Sequence, residues 1–427
     1  MPDRQINFQI QLFLQIDDFF PPLLFLVHLL IYGPGNCPHH FIFSIPLGLA
    51  PLYLQLFLQL QLAAVLGQHV EIDALQPHRR LAEIDKDYAD ALAAYHQASS
   101  SNRQAAVRNA FIDARTPGSD RKENFTIIGP GVSENPAQVV HIPEAHGFNV
   151  GAARQPFGCT NSQHSHLTAD TFVVHTGKWR FVFGANKDEG YLDVGPGDVA
   201  TVPTHMFRGF EKRDEGTGFL YVVLGHDDPG KVVWAPSVFK MAEDFGLKLL
   251  KGGKLIDTTL GETVPEGAEL EQPPTAEKLR ELATPPMGEL SKYALKAEQM
   301  KANPNSPLAS EGVEEAALIG DIDAQDGFKA GPIIGHWDHG FALRRLKLET
   351  GATIPAHSRS EQEVIFVQSG TLEVNWANGR LILGAGDTLT VPVGLAHGFR
   401  NPASADAIAF VVRGASAPAA PQFGEAH

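Results

Sequence analysis

The sequence predicts an all-β protein built from two tandem β-barrels, and three observations support this fold class. The 427 residues include 41 Gly, 30 Pro and 26 Phe, a composition typical of short strands joined by tight turns. Strand-like stretches such as DTFVVHTG (170–177) end at a glycine. A motif in two halves occurs twice, with its copies about 190 residues apart. A repeat of this kind indicates two similar domains.

The first half of the repeat combines histidines, a carboxylate and a glycine. GCTNSQHSHLTADTFVVHTG (158–177) aligns with GATIPAHSRSEQEVIFVQSG (351–370), and both follow G-x5-H-x-(H/R)-x3-(D/E)-x6-G. Each final glycine suits a tight turn between strands. Because side chains alternate between the two faces of a strand, His164 and His166 are expected to point the same way.

The second half of the repeat is a glycine-aspartate turn followed by a short strand and a proline. GDVATVPTHMFRGF (197–210) aligns with GDTLTVPVGLAHGF (386–399). The offset between copies is 193 residues in the first half and 189 in the second, so the connection is four residues shorter in copy two. Two antiparallel hairpins that close on each other would place the histidines and the acid of each copy inside one small barrel.

Together the two halves resemble the motif of the cupin superfamily, G-x5-H-x-H-x3,4-E-x6-G followed by G-x5-P-x-G-x2-H-x3-N. The resemblance covers residues 125–225 and 314–414. Because the motif occurs twice, the sequence is similar to the two-barrel bicupins, including quercetin-dioxygenase-like proteins. It implies a double-stranded β-helix (jelly-roll) barrel in each half. It also implies a divalent transition metal held by three histidines and one glutamate. Because cupin functions are diverse, the resemblance supports the fold better than the reaction.

Each copy departs from the cupin motif at one histidine position. Arg208 replaces the last histidine in copy one, where His205 also replaces a glycine, and Arg359 replaces the second histidine in copy two. A guanidinium has no lone pair for a metal. Two histidines and one carboxylate remain in each copy, as in the facial triad of non-haem iron oxygenases. The predicted metal ligands are His164, His166, Asp170, His357, Glu363 and His397.

The two arginines limit the prediction of metal binding. A guanidinium about 4 Å from a divalent cation is repelled by roughly 8 kcal/mol at an effective dielectric constant of 20. Arg208 and Arg359 must therefore turn away, bind an anion that shares the site, or exclude the metal. We predict that they act in catalysis by anchoring a substrate anion bidentately. Of the two copies, the first is the favoured metal site.

The motif positions and the composition divide the chain into six segments. In the second segment, Ile84, Tyr88, Leu92 and Tyr95 recur at helical spacing. In the fourth segment, Pro236 marks the start of a helix, so we expect a partly helical linker. The segments are an atypical apolar N-terminal segment (1–82), a helix and linker (83–124), cupin domain 1 (125–226), an interdomain linker (227–313), cupin domain 2 (314–414) and a flexible tail (415–427).

The N-terminal segment differs in composition from the rest of the chain. No Asp, Glu, Lys or Arg occurs between residues 19 and 70, and the apolar run 41–68 exceeds the ~18 residues that suggest a membrane span. The run also contains Pro46, Pro51 and several glutamines. No signal-peptide pattern is evident. Three interpretations stay open: an upstream segment outside the functional fold, which we favour, a membrane-associated hairpin, or a buried helical subdomain.

Charge and cysteine content restrict the partners and the compartment. A net charge of −15 argues against nucleic-acid binding, because phosphates would be repelled. Two cysteines are too few for a disulfide framework, which favours a reducing, cytoplasmic location. The alternative is membrane association through residues 19–70. We expect a homo-oligomer, most simply a dimer, that binds a small-molecule substrate.

The predicted function is a metal-binding bicupin that acts as a dioxygenase on a small aromatic or acidic substrate. Iron is the first choice of metal, with manganese, nickel, copper and zinc as alternatives. Apolar residues on the predicted strands would line a pocket for a ring: Phe172, Val174, Phe181, Ile365 and Val367. A non-catalytic small-ligand-binding bicupin and a metal-dependent isomerase or lyase remain open as alternatives.

Overall fold

The structure, a computed structural model, describes residues 9–15, 24–32, 38–46, 95–97, 110–135, 138–282, 287–320, 339–377 and 379–424. The chain divides into a unit at residues 1–77 and a unit at residues 78–427. In the first unit, β1 (Gln9–Gln15), β2 (Leu24–Tyr32) and β3 (Pro38–Pro46) form an antiparallel sheet in that order. Where it is described, the apolar N-terminal segment is therefore strand. The rest of it, including residues 47–82, lies outside the described residues.

The first barrel consists of two sheets that begin at Glu123, close to the predicted boundary of cupin domain 1. One sheet has the strand order β11-β10-β13-β8-β15 and the other β18-β12-β9-β14-β7-β5-β6. The strands are β5 (Glu123–Ile128), β6 (Val140–Ile142), β7 (Phe148–Pro156), β8 (Thr160–Ser165), β9 (Asp170–Thr176), β10 (Trp179–Phe183), β11 (Tyr191–Val194), β12 (Val199–Val202), β13 (Arg208–Lys212), β14 (Thr217–Gly225), β15 (Val233–Trp234) and β18 (Ala294–Leu295).

The second barrel repeats this architecture. Its sheets have the strand orders β24-β23-β26-β21-β28 and β19-β20-β27-β22-β25-β4. The strands are β4 (Tyr95–Gln97), β19 (Val313–Ile319), β20 (Ala342–Leu348), β21 (Thr353–Ser358), β22 (Glu363–Ser369), β23 (Thr371–Trp376), β24 (Gly379–Gly384), β25 (Asp387–Val391), β26 (His397–Arg400), β27 (Ala407–Arg413) and β28 (Gln422–Phe423). The strand β28 lies within the segment that the sequence predicted to be a flexible tail.

The segment between the barrels is partly helical, as predicted. It contains α1 (Pro236–Asp244), the hairpin of β16 (Leu247–Leu249) and β17 (Leu255–Asp257), α2 (Ala276–Glu281) and α3 (Met287–Leu290), with 3-10 turns at Thr258–Leu260, Ser291–Tyr293 and Ala297–Gln299. Proline at the start of α1 costs no hydrogen bond, because the first N–H groups of a helix have no internal partner. Gly246, with φ of +76°, follows the helix in a left-handed conformation that glycine adopts without strain.

Each barrel receives one short strand from the segment that precedes the other barrel. The strand β4 lies before barrel 1 in the sequence but pairs with β25 of barrel 2, where Tyr95 is opposite Leu389. The strand β18 lies before barrel 2 but pairs with β12 of barrel 1, where Leu295 is opposite Val199. The prediction that Tyr95 belongs to a helix is therefore wrong. The other residues of that predicted helix lie outside the described residues.

The two barrels pack on each other through a shared apolar core and a reciprocal pair of polar contacts. His146 before β7 contacts Thr390 of barrel 2, with 2.6 Å between Nε2 and Oγ1. His339 before β20 contacts Thr201 of barrel 1, with 2.9 Å between the same atoms. Both histidines belong to an HGF tripeptide, at 146–148 and 339–341, whose phenylalanines are buried in the shared core. This second repeat lies outside the cupin motif.

The residues predicted to line an apolar pocket are packed side chains of the barrel interiors. The rings of Phe172 and Phe181 lie 4.7 Å apart, and both are buried with Val174 in one cluster. Ile365 and Val367 are buried in the corresponding cluster of barrel 2. These residues fill the barrels, as side chains do in small barrels, and any substrate space must lie elsewhere.

Candidate metal centres

The sheet register places the repeated motif residues at equivalent positions in the two barrels. Arg208 on β13 is opposite His164 on β8, and His397 on β26 is opposite His357 on β21. Asp170 and Glu363 begin the equivalent strands β9 and β22. The alignment drawn from the sequence is therefore confirmed in three dimensions.

His205 is not part of either group of candidate ligands. It has φ of 65° and takes the place of Gly394, which has φ of 80°. The N–H groups of these two residues make equivalent bonds of 2.8 Å to the carbonyls of His166 and Arg359. The His205 side chain is exposed. It is a turn residue at the rim of barrel 1.

The first candidate group consists of His164, His166 and Asp170. Their ligand atoms lie within 4.8 Å of one another, and all three side chains are buried. His164 Nδ1 is 2.6 Å from the carbonyl oxygen of Ser162, so it carries a proton and Nε2 keeps its lone pair. His166 Nδ1 is buried without a hydrogen-bond partner among the described residues, so no contact fixes the tautomer of this ring.

Arg208 lies inside the first group. It is fully buried, donates from Nη2 to Asp170 Oδ2, and donates from Nη1 to the carbonyl of His164 at 3.1 Å. The same Asp170 oxygen is 3.8 Å from His166 Nε2. Burial raises the pKa of Asp170, and the Arg208 charge opposes this increase. Burial and then the Arg208 charge lower the pKa of both histidines well below the ordinary value, so both rings are neutral.

A second buried cation lies behind His164. Lys122, also fully buried, pairs with Asp113 and donates to Asn161 Oδ1 at 2.6 Å. The ring of Trp234 on β15 lies 5.2 Å from the His164 ring, and its Nε1 donates to Glu134 Oε1 at 2.7 Å. The sequence analysis did not identify these residues, because none of them is a defining position of the repeated motif.

The second candidate group consists of His357, Glu363 and His397, all buried and with ligand atoms within 4.8 Å of one another. Both histidines place Nδ1 3.0 Å from a backbone carbonyl, that of Pro355 or Leu395. Burial lowers the pKa of His357 to about 4, against the opposing charge of Glu363, so the ring is neutral. Its Nε2 is buried without a hydrogen-bond partner among the described residues.

Glu363 divides its two oxygens between different partners. Oε2 accepts from Arg359 Nε at 3.1 Å, while Oε1 lies 3.1 Å from His397 Nε2. Burial alone would raise the pKa of Glu363, but the charge of Arg359 and the contact with His397 outweigh it and hold the pKa at about 2. His397 therefore has an oxygen beside each ring nitrogen, the Leu395 carbonyl at Nδ1 and the Glu363 carboxylate at Nε2.

Arg359 differs from Arg208 in which of its nitrogens is left without a hydrogen-bond partner. It is 5% exposed, and its Nη1 is buried without a hydrogen-bond partner among the described residues. Both terminal nitrogens of Arg208 have protein acceptors, and its Nε is the nitrogen that is buried without a partner among the described residues. Arg359 therefore keeps a donor for an anion at the second group, whereas the terminal nitrogens of Arg208 are already engaged.

The aromatic residues beside the two groups also differ. Phe423 on β28 is opposite His357, as Trp234 on β15 is opposite His164. Trp234 is buried, but Phe423 is 45% exposed, with its ring 5.8 Å from the His357 ring. Trp234 and Phe423 are 189 positions apart, which is also the offset between the two copies of the second half-motif. This shared offset is the feature of the sequence that could have identified them.

Comparison with known proteins identifies the second barrel by sequence. Residues 344–413 match the family described as Cupin domain. Germin-like protein subfamily 1 member 4 of Arabidopsis thaliana is 27% identical over 121 residues, which cover 27% of this chain. The match covers 54% of that protein, or about half its length.

Two solved structures are similar at low identity. Oxalate decarboxylase from Bacillus subtilis is 15% identical with a TM-score of 0.42, over 69% of this chain and 72% of that one. A formate complex of the Lactobacillus farciminis oxalate decarboxylase is 14% identical with a TM-score of 0.42, over 70% and 82% of the two chains. Likeness at this level carries no conclusion about the reaction.

None of the helices in the described part of the chain combines the length and the apolar character needed to cross a bilayer.

Proposed function

We propose that this chain, which belongs to the cupin superfamily and carries two of its barrels, is a metal-dependent enzyme that acts on a small organic anion in barrel 2. The observation that supports this most strongly is the convergence of His357, Glu363 and His397. The Nδ1 atoms of both imidazoles face carbonyls, and the two Nε2 atoms and the Glu363 carboxylate lie together in one buried space. A divalent cation satisfies all three groups together.

The spacing in barrel 2 fits a transition-metal ion. Two ligands bound at about 2.1 Å and at right angles to each other stand about 3.0 Å apart. His397 Nε2 and Glu363 Oε1 are 3.1 Å apart. The carbonyls that hold both Nδ1 atoms would keep the rings in the ligating tautomer, as outer-shell hydrogen bonds do in metal sites.

The charges in barrel 2 favour an anionic substrate. Glu363 and Arg359 neutralise each other, so a divalent ion would leave two positive charges in a buried space. A substrate carboxylate or phenolate beside Arg359 Nη1 would reduce this excess and would accept a charge-assisted hydrogen bond. Arg359 would thereby orient the substrate. Its role as an anion anchor is carried over from the sequence prediction and remains a proposal, as does that of Arg208.

Dioxygenation of a small aromatic or acidic compound is the reaction we propose for this site. Two histidines and one carboxylate are the ligand set of non-haem Fe(II) oxygenases, and an ion held by these residues would offer open positions to dioxygen and to a substrate. The Phe399 ring lies 5.1 Å from the His397 ring, and Phe423 lies at the exposed edge. These residues would exclude water from one side and present an apolar surface to a ring.

Oxygen uptake tests the reaction class. Protein loaded with Fe(II) should consume dioxygen in the presence of at least one member of a panel of catechols, flavonols, hydroxybenzoates and keto-acids. Conversion of a panel compound without dioxygen would replace the proposal by a lyase or isomerase. Saturable binding without conversion would replace it by a ligand-binding protein.

The Arg359→His variant tests the anchoring role. It removes a positive charge near the ion and adds a ligand, so Mn(II) should bind more tightly. The substrate or a competing carboxylate should bind roughly 10- to 150-fold more weakly, because a charge-assisted bond contributes about 1.5–3 kcal/mol. Arg380→His, at an exposed arginine of the same barrel, is the control and should change neither value. Unchanged anion binding in Arg359→His would exclude the anchor.

A further inference from the structure

We infer that Arg208 is the resident cation of barrel 1, taking the place of a metal ion, so that barrel 1 holds no metal ion. Arg208 occupies the position that His397 has in barrel 2, since each is opposite the first histidine of its motif. A ligand position therefore carries a permanent positive charge. This inference concerns barrel 1 and does not depend on the function proposed for barrel 2.

The contacts of Arg208 are those that a bound cation would make. The guanidinium donates to Asp170 Oδ2 and to the carbonyl of His164. That carboxylate oxygen is also the one that faces His166 Nε2 at 3.8 Å. The arginine is 0% exposed, so it cannot swing into solvent to admit an ion without opening the barrel.

Barrel 2 has a different arrangement of arginine and carboxylate. Arg359 donates from Nε to Glu363 Oε2 and leaves Oε1 facing His397. The arginine and the candidate ion would thus use different oxygens of one carboxylate. In barrel 1 the arginine holds Asp170 Oδ2, the oxygen that His166 Nε2 faces, while Oδ1 is buried without a hydrogen-bond partner among the described residues. A metal ion bound beside His166 Nε2 would therefore compete with Arg208 for Oδ2.

Two further features of barrel 1 oppose a metal ion. His166 Nδ1 makes no hydrogen bond among the described residues, so its tautomer is not fixed, whereas both histidines of barrel 2 are held by carbonyls. Lys122 adds another buried ammonium behind His164, where it reaches Asn161. Asp113 balances that charge locally but contributes no ligand atom to the group.

The experiment is a count of metal ions in the full-length chain loaded with Co(II), by elemental analysis and visible absorption. The wild type should bind one equivalent. Arg208→His, which completes a set of three histidines and one aspartate, should bind one equivalent more, and Arg208→His with His164→Ala should lose it again. Arg208→Lys, which keeps a charge without a ligand, should bind the same amount as the wild type.

The outcomes separate this inference from the proposed function. A wild type that binds no Co(II), with one equivalent gained in Arg208→His, would support the inference and defeat the metal site of barrel 2. A folded Arg208→His variant that gains nothing would overturn the inference, as would a wild type with two equivalents. If Arg208→His does not fold, His164→Ala with His166→Ala decides the question, since it leaves the Arg208–Asp170 pair in place. Unchanged Co(II) content supports the inference, and a loss overturns it.

Discussion

The two barrels carry the same motif at the same positions, yet each has an arginine at a different ligand position. In barrel 1 it replaces the histidine on β13, and its guanidinium shares a carboxylate oxygen with His166. In barrel 2 it replaces the histidine after β21, and it binds the carboxylate oxygen that does not face His397. Since both arginines have the same charge, we propose that the carboxylate oxygen each one holds decides whether a metal ion can bind beside it.

The residues beside the two groups also differ in how far they are exposed to solvent. Behind His164, Trp234, Lys122, Asp113 and Glu134 form a closed and buried layer. Beside His357, the equivalent aromatic residue is the half-exposed Phe423. The candidate ligands themselves are buried in both barrels, so the difference lies in the aromatic residue beside the first histidine of each group.

The largest expected effect comes from neutralising each carboxylate. Glu363→Gln and Asp170→Asn keep the side-chain shape but leave Arg359 or Arg208 buried without a counter-charge, which should cost about 3–5 kcal/mol of folding free energy in both variants. Mn(II) affinity should fall only in Glu363→Gln. Urea unfolding with a chelator present measures the first effect, and titration calorimetry measures the second.

Asp193→Asn is the matched control for these variants, because it breaks an exposed pair with Arg180 and should cost less than about 1 kcal/mol. Loss of Mn(II) binding in Asp170→Asn would remove the distinction between the barrels.

An intermediate effect of pH is expected from Glu134 of barrel 1. Burial raises the pKa of Glu134 to about 8, against opposing hydrogen bonds from Trp234 and Ile112. Between its ordinary value of 4.5 and about 8, the folded state binds a proton that the unfolded state has released. Stability contributed by this group is therefore complete below pH 4.5 and decreases as pH rises, by up to about 1.4 kcal/mol per unit, levelling off above pH 8.

Glu134→Gln should remove this slope, because an amide does not titrate. Urea midpoints of the wild type and the variant between pH 5 and 9 provide the check. Parallel curves for the two proteins would mean that Glu134 is ionised throughout the range.

The smallest effect concerns the contacts that join the barrels. His146→Ala and His339→Ala each take a hydrogen-bond partner from a buried threonine, which should cost about 1–3 kcal/mol. Calorimetry should show one unfolding transition at a lower temperature for each variant, with Val139→Ala, at an exposed side chain, as the unchanged control. Two separate transitions in the wild type would show that the barrels do not fold as one unit.

The sequence was sufficient to predict the fold and the membership of both candidate groups. Motif spacing fixes which residues enter a barrel, because strand alternation and turn glycines are local properties. It could not predict which carboxylate oxygen each arginine holds, since this depends on rotamers set by packing. It favoured barrel 1 as the metal site, whereas our proposal from the side-chain contacts places the metal ion in barrel 2. The sequence also did not predict that the strand with Tyr95 pairs with barrel 2 or that the strand with Leu295 pairs with barrel 1. Segments of two or three residues carry little pattern that would indicate such long-range pairing.

Anomalous scattering at the manganese edge, from crystals of the full chain grown with Mn(II), tests the central claim most directly. The account predicts one peak, between His357 Nε2, Glu363 Oε1 and His397 Nε2, with Arg208 still bound to Asp170 in barrel 1. A peak between His164, His166 and Asp170, or crystals saturated with Mn(II) that show no peak in barrel 2, would contradict it.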